Sequence, residues 1–226
     1  MYTNSPLVDY VKISPNRTVG RKYKIDRITI HCVEGQCSVE TLGEIFAPTS
    51  RKASSNYGIG PDGRVGMYVE EKDRSWCSSN SDNDHRAVTI ECASDKTHPY
   101  AVKDIVYDKL IDLCVDICKR NGKTKVLWFG DKAKTLNYQP KPDEMVLTVH
   151  RWFTSKSCPG DYLYNRHGKI AMRVTALLNK EEKWRLILKQ KTTHPDDWIK
   201  FVEEHKNDIG IGKYLPTLIE KLGDEK

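Results

Sequence analysis

The stretch Arg27–Phe46, RITIHCVEGQCSVETLGEIF, decides the fold class. Ile28 and Ile30 alternate with Thr29 and His31, the period of a strand, and the β-branched content agrees. The strand ends at His31. Ser38 then offers a side-chain oxygen as an N-cap, and Val39, Leu42, Ile45 and Phe46 fall on one helical face. A strand feeding a helix is the repeating unit of α/β proteins, and the pattern returns further along the chain.

Working outward, SSNYGIGPDGRVGMYV (Ser54–Val69) reads as two short strands turning at Pro61-Asp62-Gly63. HRAVTIECAS (His85–Ser94) places a buried strand at Ala87–Cys92, with Val88 and Ile90 on one face and Glu91 on the other. The strongest helix covers about 102–120, where Val106, Leu110, Leu113 and Ile117 recur at helical spacing before an Asn121-Gly122 stop. Gly130–Glu144 reads as a polar, proline-containing connection, Met145–His150 as a strand, and about 161–179 as a helix.

From Lys180 the pattern changes to two or three short helices, with Pro195 at a first-turn position. The expected architecture is therefore a mixed central β-sheet flanked by helices over residues 1–180, followed by a small helical domain over 181–226. Trp184, Trp198 and Phe201 are the aromatic material from which the small domain would build a core or a docking face.

Charged residues make up 30% of the 226, with both signs interleaved, which argues for a folded chain. Residues 180–226 hold ten Lys/Arg and ten Asp/Glu, so the whole net charge of +6 lies in the preceding part. Such an excess suits an anionic polymer: nucleic acid, a phospholipid surface or wall teichoic acid. No basic stripe interleaved with aromatics supports nucleic acid. No apolar run approaches the roughly 18 residues of a membrane span, and the N-terminus shows no apolar export segment. The seven cysteines contain no C-x-x-C pair, which argues against a zinc ribbon or a thioredoxin-type site.

Three residues raise the question of chemistry. His31 ends one strand, His150 ends another, and Cys158 follows in LTVHRWFTSKSCPGDYL (Leu147–Leu163). On spacing alone they read either as unrelated surface and core residues or as a catalytic zinc site, which takes three protein ligands and leaves one position open.

The segments ITIHC, SSNYGIGPDGRV, RSWCSSN, AVTIECAS and LTVHRWFTSKSCPG resemble, in order, the zinc-dependent N-acetylmuramoyl-L-alanine amidases of type 2. That family includes phage lysozyme-like amidases and peptidoglycan recognition proteins. The resemblance covers roughly residues 25–178 and looks closest to clostridial and clostridial-phage endolysins.

The resemblance implies one Zn2+ ion held by His31, His150 and Cys158, with peptidoglycan as the partner. It implies Glu91 as proton carrier, Lys156 as oxyanion stabiliser, and Asn56 and Trp76 as substrate-binding residues. The activity implied is hydrolysis, by zinc-activated water, of the amide joining N-acetylmuramic acid to L-alanine. A non-catalytic peptidoglycan-binding module is the alternative within the same family. Where some phage members carry a tyrosine, this chain has Ser55, with Tyr57 the alternative under a small alignment shift. Cys32 and Cys37 read as free thiols rather than as the disulfide of secreted relatives. By analogy with endolysins, residues 181–226 would target the wall or assist oligomerisation, and the enzyme would reach the wall after holin-mediated release.

Overall fold

A strand whose alternate residues differ in polarity builds a sheet with two unlike faces, and this chain does so over three adjacent strands. The computed structural model describes residues 3–205 and Ile219, with the backbone alone at 180–186, 189 and 190. The expected helix at 213–223 lies outside the described residues apart from Ile219, as does the side chain of Trp184.

In chain order the elements begin with β1 (Tyr10–Val11), β2 (Arg17–Thr18), β3 (Arg27–Cys32) and α1 (Val39–Phe46). The hairpin β4 (Tyr57–Ile59) and β5 (Val65–Met67) is followed by β6 (Arg74–Ser75), α2 (Ser81–Arg86) and β7 (Ala87–Cys92). Next come α3 (Asp104–Arg120), β8 (Lys125–Leu127), α4 (Lys132–Asn137) and β9 (Glu144–Thr148). The last described helices are α5 (Gly160–Tyr164), α6 (His167–Lys191) and α7 (Pro195–His205).

Seven strands form one sheet in the order β1-β5-β4-β7-β3-β9-β8. Within this sheet, among the described residues, only the β4–β5 hairpin is antiparallel and the other pairs run parallel; β2 and β6 pair antiparallel in a separate two-stranded sheet. The mixed α/β architecture expected from the sequence is therefore present. β7 is the central strand, and β3 lies next to it, paired with β7 on one side and β9 on the other, in the registers His31↔Glu91 and Thr29↔Thr148.

Alternation separates the faces. Ile28, Ile30, Val88 and Ile90 share an apolar face and are fully buried. Cys114 of α3, a helix that packs on β4 and β7, lies beside Cys92 of that face. The opposite face carries Arg27, Thr29 and His31 beside Thr89 and Glu91. Helix α2 lies over this polar face through Asn83, whose amide donates to Thr29 Oγ1 at 2.9 Å and accepts from Thr148 Oγ1 at 3.1 Å. A polar face buried under a helix is tolerated because its groups bond one another.

The strand at Ala87–Cys92 and the helical face of α3 follow the sequence expectation. Ser38 caps α1 by accepting from Thr41 N at 3.2 Å. Two short helices go beyond it. α4 forms inside the stretch read as a connection, capped by Asp131, and α2 is capped by Asn80. Six residues are too few to show helical periodicity, so the caps and tertiary bonds define these helices. α6 also runs past its expected end near 179 to Lys191, because no glycine or proline interrupts it after Gly168.

The chain divides into two compact units, Met1–Thr175 and Ala176–Lys226. The second has its own small core of Ile187, Leu188, Val202 and Ile219. Trp198 and Phe201 lie outside that core, 49% and 37% exposed.

Candidate metal centre

Parallel strands deliver their last residues to one edge, and here that edge collects the chemistry. His31 is the penultimate residue of β3 and only 1% exposed, and Glu91 sits opposite it on β7. His150 opens the single turn after β9, and Cys158 returns on the following loop. The loop is tied down by main-chain and side-chain bonds. Arg151 N donates to Cys158 O at 3.1 Å, and the Arg151 guanidinium binds Asp161 Oδ1 at 3.0 Å and the Ser157 carbonyl. Gly160 turns the chain with φ +76°, and a Cβ there would stand 2.7 Å from Tyr100 Cβ. Only glycine satisfies both the left-handed backbone and the missing space.

The three donors meet. Cys158 Sγ lies 3.3 Å from His31 Nδ1, the His31 and His150 ring centres are 5.1 Å apart, and one ligand atom from each residue falls within 4.8 Å of the others. Zinc bonds of about 2.0 Å to nitrogen and about 2.3 Å to sulfur, at a tetrahedral angle, set an N···S edge of about 3.5 Å. The observed 3.3 Å is close to that edge. Two imidazoles and a thiol are also the donor types zinc prefers. The site fits the ion.

Electrostatics keep the imidazoles available. Burial holds His31 well below its usual pKa, and burial together with the Lys156 ammonium lowers that of His150. Both rings are therefore neutral near pH 7, with lone pairs to donate. Burial raises the Cys158 thiol, the direction a bound cation would reverse. Glu91, half-buried at 16% exposure, has its carboxyl pushed up to about 8, chiefly by burial. Its Oε1 lies 4.0 Å from His31 Nδ1 and 3.8 Å from Cys77 Sγ.

The other sequence candidates fall in different places. Lys156 is exposed on the loop between His150 and Cys158. Trp76 is half-buried, and its indole N–H donates to Thr18 Oγ1 at 2.9 Å. Asn56 lies outside the cluster: it is 0% exposed, donates to Val69 O and accepts from Thr89 N, so no part of its amide faces solvent. Tyr57 pairs with Ile90, on the apolar face, and its hydroxyl donates to Glu71 Oε1. Ser55 is spent on the carbonyls of Tyr57 and Thr89. Neither reaches the donors. Cys32 and Cys37 are free thiols.

Sequence reasoning did not single out Ser79, whose Oγ meets His150 Nε2 at 3.1 Å, or Arg151, the clamp of the Cys158 loop. Nor did it find Cys77 beside Glu91. The RSWCSSN segment contains two of these residues, but which atoms they touch depends on tertiary placement.

An open, mainly parallel sheet with donors gathered beyond the carboxyl ends of its strands defines an α/β protein with its site where such folds place active sites. The family model for N-acetylmuramoyl-L-alanine amidase matches residues 21–161, more than half the chain, and the chain belongs to that family of peptidoglycan-hydrolysing amidases. The matched span contains His31, Glu91, His150, Lys156 and Cys158.

Comparison with curated proteins returned no match. Among solved structures, the N-acetylmuramoyl-L-alanine amidase LysC from Clostridium intestinale URNW is 16% identical, with a TM-score of 0.49, covering 76% of this chain and 95% of its own. PlyL is 16% identical, with a TM-score of 0.49 and coverages of 73% and 95%. The Drosophila peptidoglycan recognition protein SA is 16% identical, with a TM-score of 0.47 and coverages of 71% and 91%. Among the described residues, no helix is long and apolar enough to cross a membrane.

Proposed function

We propose that the chain hydrolyses the amide between the lactyl group of N-acetylmuramic acid and L-alanine, with one zinc ion held by His31, His150 and Cys158. The observation carrying this reading is the meeting of those three donors at one edge, with Glu91 directly opposite His31. A zinc ion there supplies Lewis acidity and makes water nucleophilic near neutral pH.

The chain's own residues do the rest. Burial alone keeps the Glu91 carboxyl, about 4.0 Å from His31, in its neutral form; a cation at the three donors would favour the carboxylate, which accepts the proton of the attacking water and passes it to the departing amine. Lys156, close enough to His150 to oppose its protonation, offers its ammonium to the developing oxyanion. Ser79 fixes the His150 ring, and Arg151 fixes the loop that brings Cys158 back. Trp76 keeps partial exposure for contact with glycan, whereas Asn56 plays no part in the proposed site. The second unit, with Trp198 and Phe201 exposed, is read as an aid to wall binding.

The test is a mass-spectrometric digest of purified peptidoglycan by the zinc-loaded wild type and by His150→Ala. The wild type is expected to release peptides with a free L-alanine amine, and the variant none. Wild-type protein that pellets with walls while releasing no such amine would overturn the reading.

A further inference from the structure

A cleft of about 510 Å³ runs along α2 on the polar side of the sheet. Asn80 and Phe153 line one part of it. Both adjoin the candidate metal centre: Ser79, next to Asn80, touches His150, and Phe153 N donates to His150 O. Lys24, Arg27 and Arg86 line another part. The cleft therefore leads away from the donors toward a basic patch.

Arg27 is the unusual member. It is 5% exposed, its NH1 donates to the Asn83 amide oxygen at 3.2 Å, and its buried Nε has no partner among the described residues. No described carboxylate lies within ion-pair distance of it. The nearby Asp26 is engaged by Arg86, which reaches it through both Nε and NH2. Asp82 also lines the cleft, so its walls carry three cationic and two anionic side chains. Burial lowers the Arg27 guanidinium to about 10, which reports how far it is removed from water. A desolvated guanidinium bonded only to a neutral amide is costly to keep, and a carboxylate is its natural bidentate partner.

We propose that this cleft is the subsite for the peptide arm of the substrate, and that Arg27, with Lys24 at the rim, receives the peptide's terminal carboxylate. The inference rests on the amidase reading and adds the direction and charge of the peptide. Arg27 and His31 share a face of β3 four residues apart, which is about 13 Å at strand rise. An extended peptide of about four residues has a similar span, and because Asn83 seals the strand face itself the peptide follows the flank of α2, where Asn80, Asp82 and Arg86 line the cleft toward Arg27.

The test uses the full chain loaded with zinc and two soluble substrates, a muramoyl tetrapeptide and the same compound with its terminal carboxyl amidated. Wild-type KM is expected to be about tenfold higher for the amide with kcat unchanged, the scale of one charge-assisted bond. Arg27→Gln is expected to raise KM for the acid to the amide value and leave the amide unaffected. Lys24→Gln, at an exposed position, should act in the same selective direction by a smaller factor and keeps the test open if Arg27→Gln does not fold. Equal wild-type KM values for acid and amide, or equal losses on both in the variants, would overturn the subsite and leave the amidase reading standing. Absence of hydrolysis of either compound would overturn the amidase reading, and the subsite with it.

Discussion

His167 at the start of α6 gives the prediction whose magnitude the structure fixes most directly. Its ring is fully buried, tilted against Trp128 with ring centres 4.6 Å apart. Nδ1 meets the Leu163 carbonyl oxygen at 2.7 Å, so Nδ1 carries the proton and donates it, and the buried Nε2 has no partner among the described residues. The fold therefore holds the neutral ring, and burial lowers its pKa from 6.5 to about 4. A base with a depressed folded-state pKa contributes stability that is complete above the unfolded value. As pH falls below 6.5 the unfolded chain takes up the proton first, and the contribution is lost as pH drops through 4. A gap of 2.5 units between the two values corresponds to about 3 kcal/mol.

His167→Phe keeps a ring against Trp128 and removes the titration. The bond to Leu163 O is lost at a cost of about 1 kcal/mol, but that oxygen also accepts from Arg166 N at 2.9 Å and is not stranded. Urea unfolding followed by tryptophan fluorescence should find the variant slightly less stable than wild type at pH 7. It should gain on wild type by about 3 kcal/mol by pH 4, so that the two stability curves cross. Parallel curves would refute the reasoning, because the ring would then be solvated or paired in a way the buried environment denies.

Further outcomes follow from the same geometry. Glu91→Gln should lower kcat by about 10²–10⁴ while zinc content, measured by atomic absorption, stays at that of wild type; retained activity would remove Glu91 from proton transfer. Arg151→Gln releases Ser157 and Asp161 from the clamp and should weaken zinc affinity by about 10–100-fold in competition with a chelator. Gly160→Ala forces a Cβ into the 2.7 Å approach to Tyr100 Cβ at φ +76° and should destabilise the chain by about 1–3 kcal/mol in urea unfolding.

The sequence exposed those parts whose periodicity is long enough to read. The β3 alternation, the strand at Ala87–Cys92, the α1 cap and the α3 stripe each span enough residues for the period to stand out. The helices α2 and α4 did not, because six residues show no period and their stability comes from caps and from Asn83 bonding across the sheet. Within the site, His31, His150 and Cys158 were found through motif resemblance, and their convergence needed the parallel order of β7, β3 and β9. Register also separated Tyr57 from Glu91, placing them on opposite faces of the sheet, a distinction no linear spacing contains. Arg27 was invisible for the opposite reason. In the sequence it is one of 37 basic residues, and only burial without a carboxylate partner marks it out.

The central claim is the ligand set, and X-ray absorption at the zinc edge on the metal-loaded chain tests it most directly. It should find one ion per chain with one sulfur at about 2.3 Å and nitrogen scatterers at about 2.0 Å, the sulfur shell vanishing in Cys158→Ser. A zinc shell of nitrogen and oxygen alone in the wild type, or a sulfur shell that survives Cys158→Ser, would contradict it.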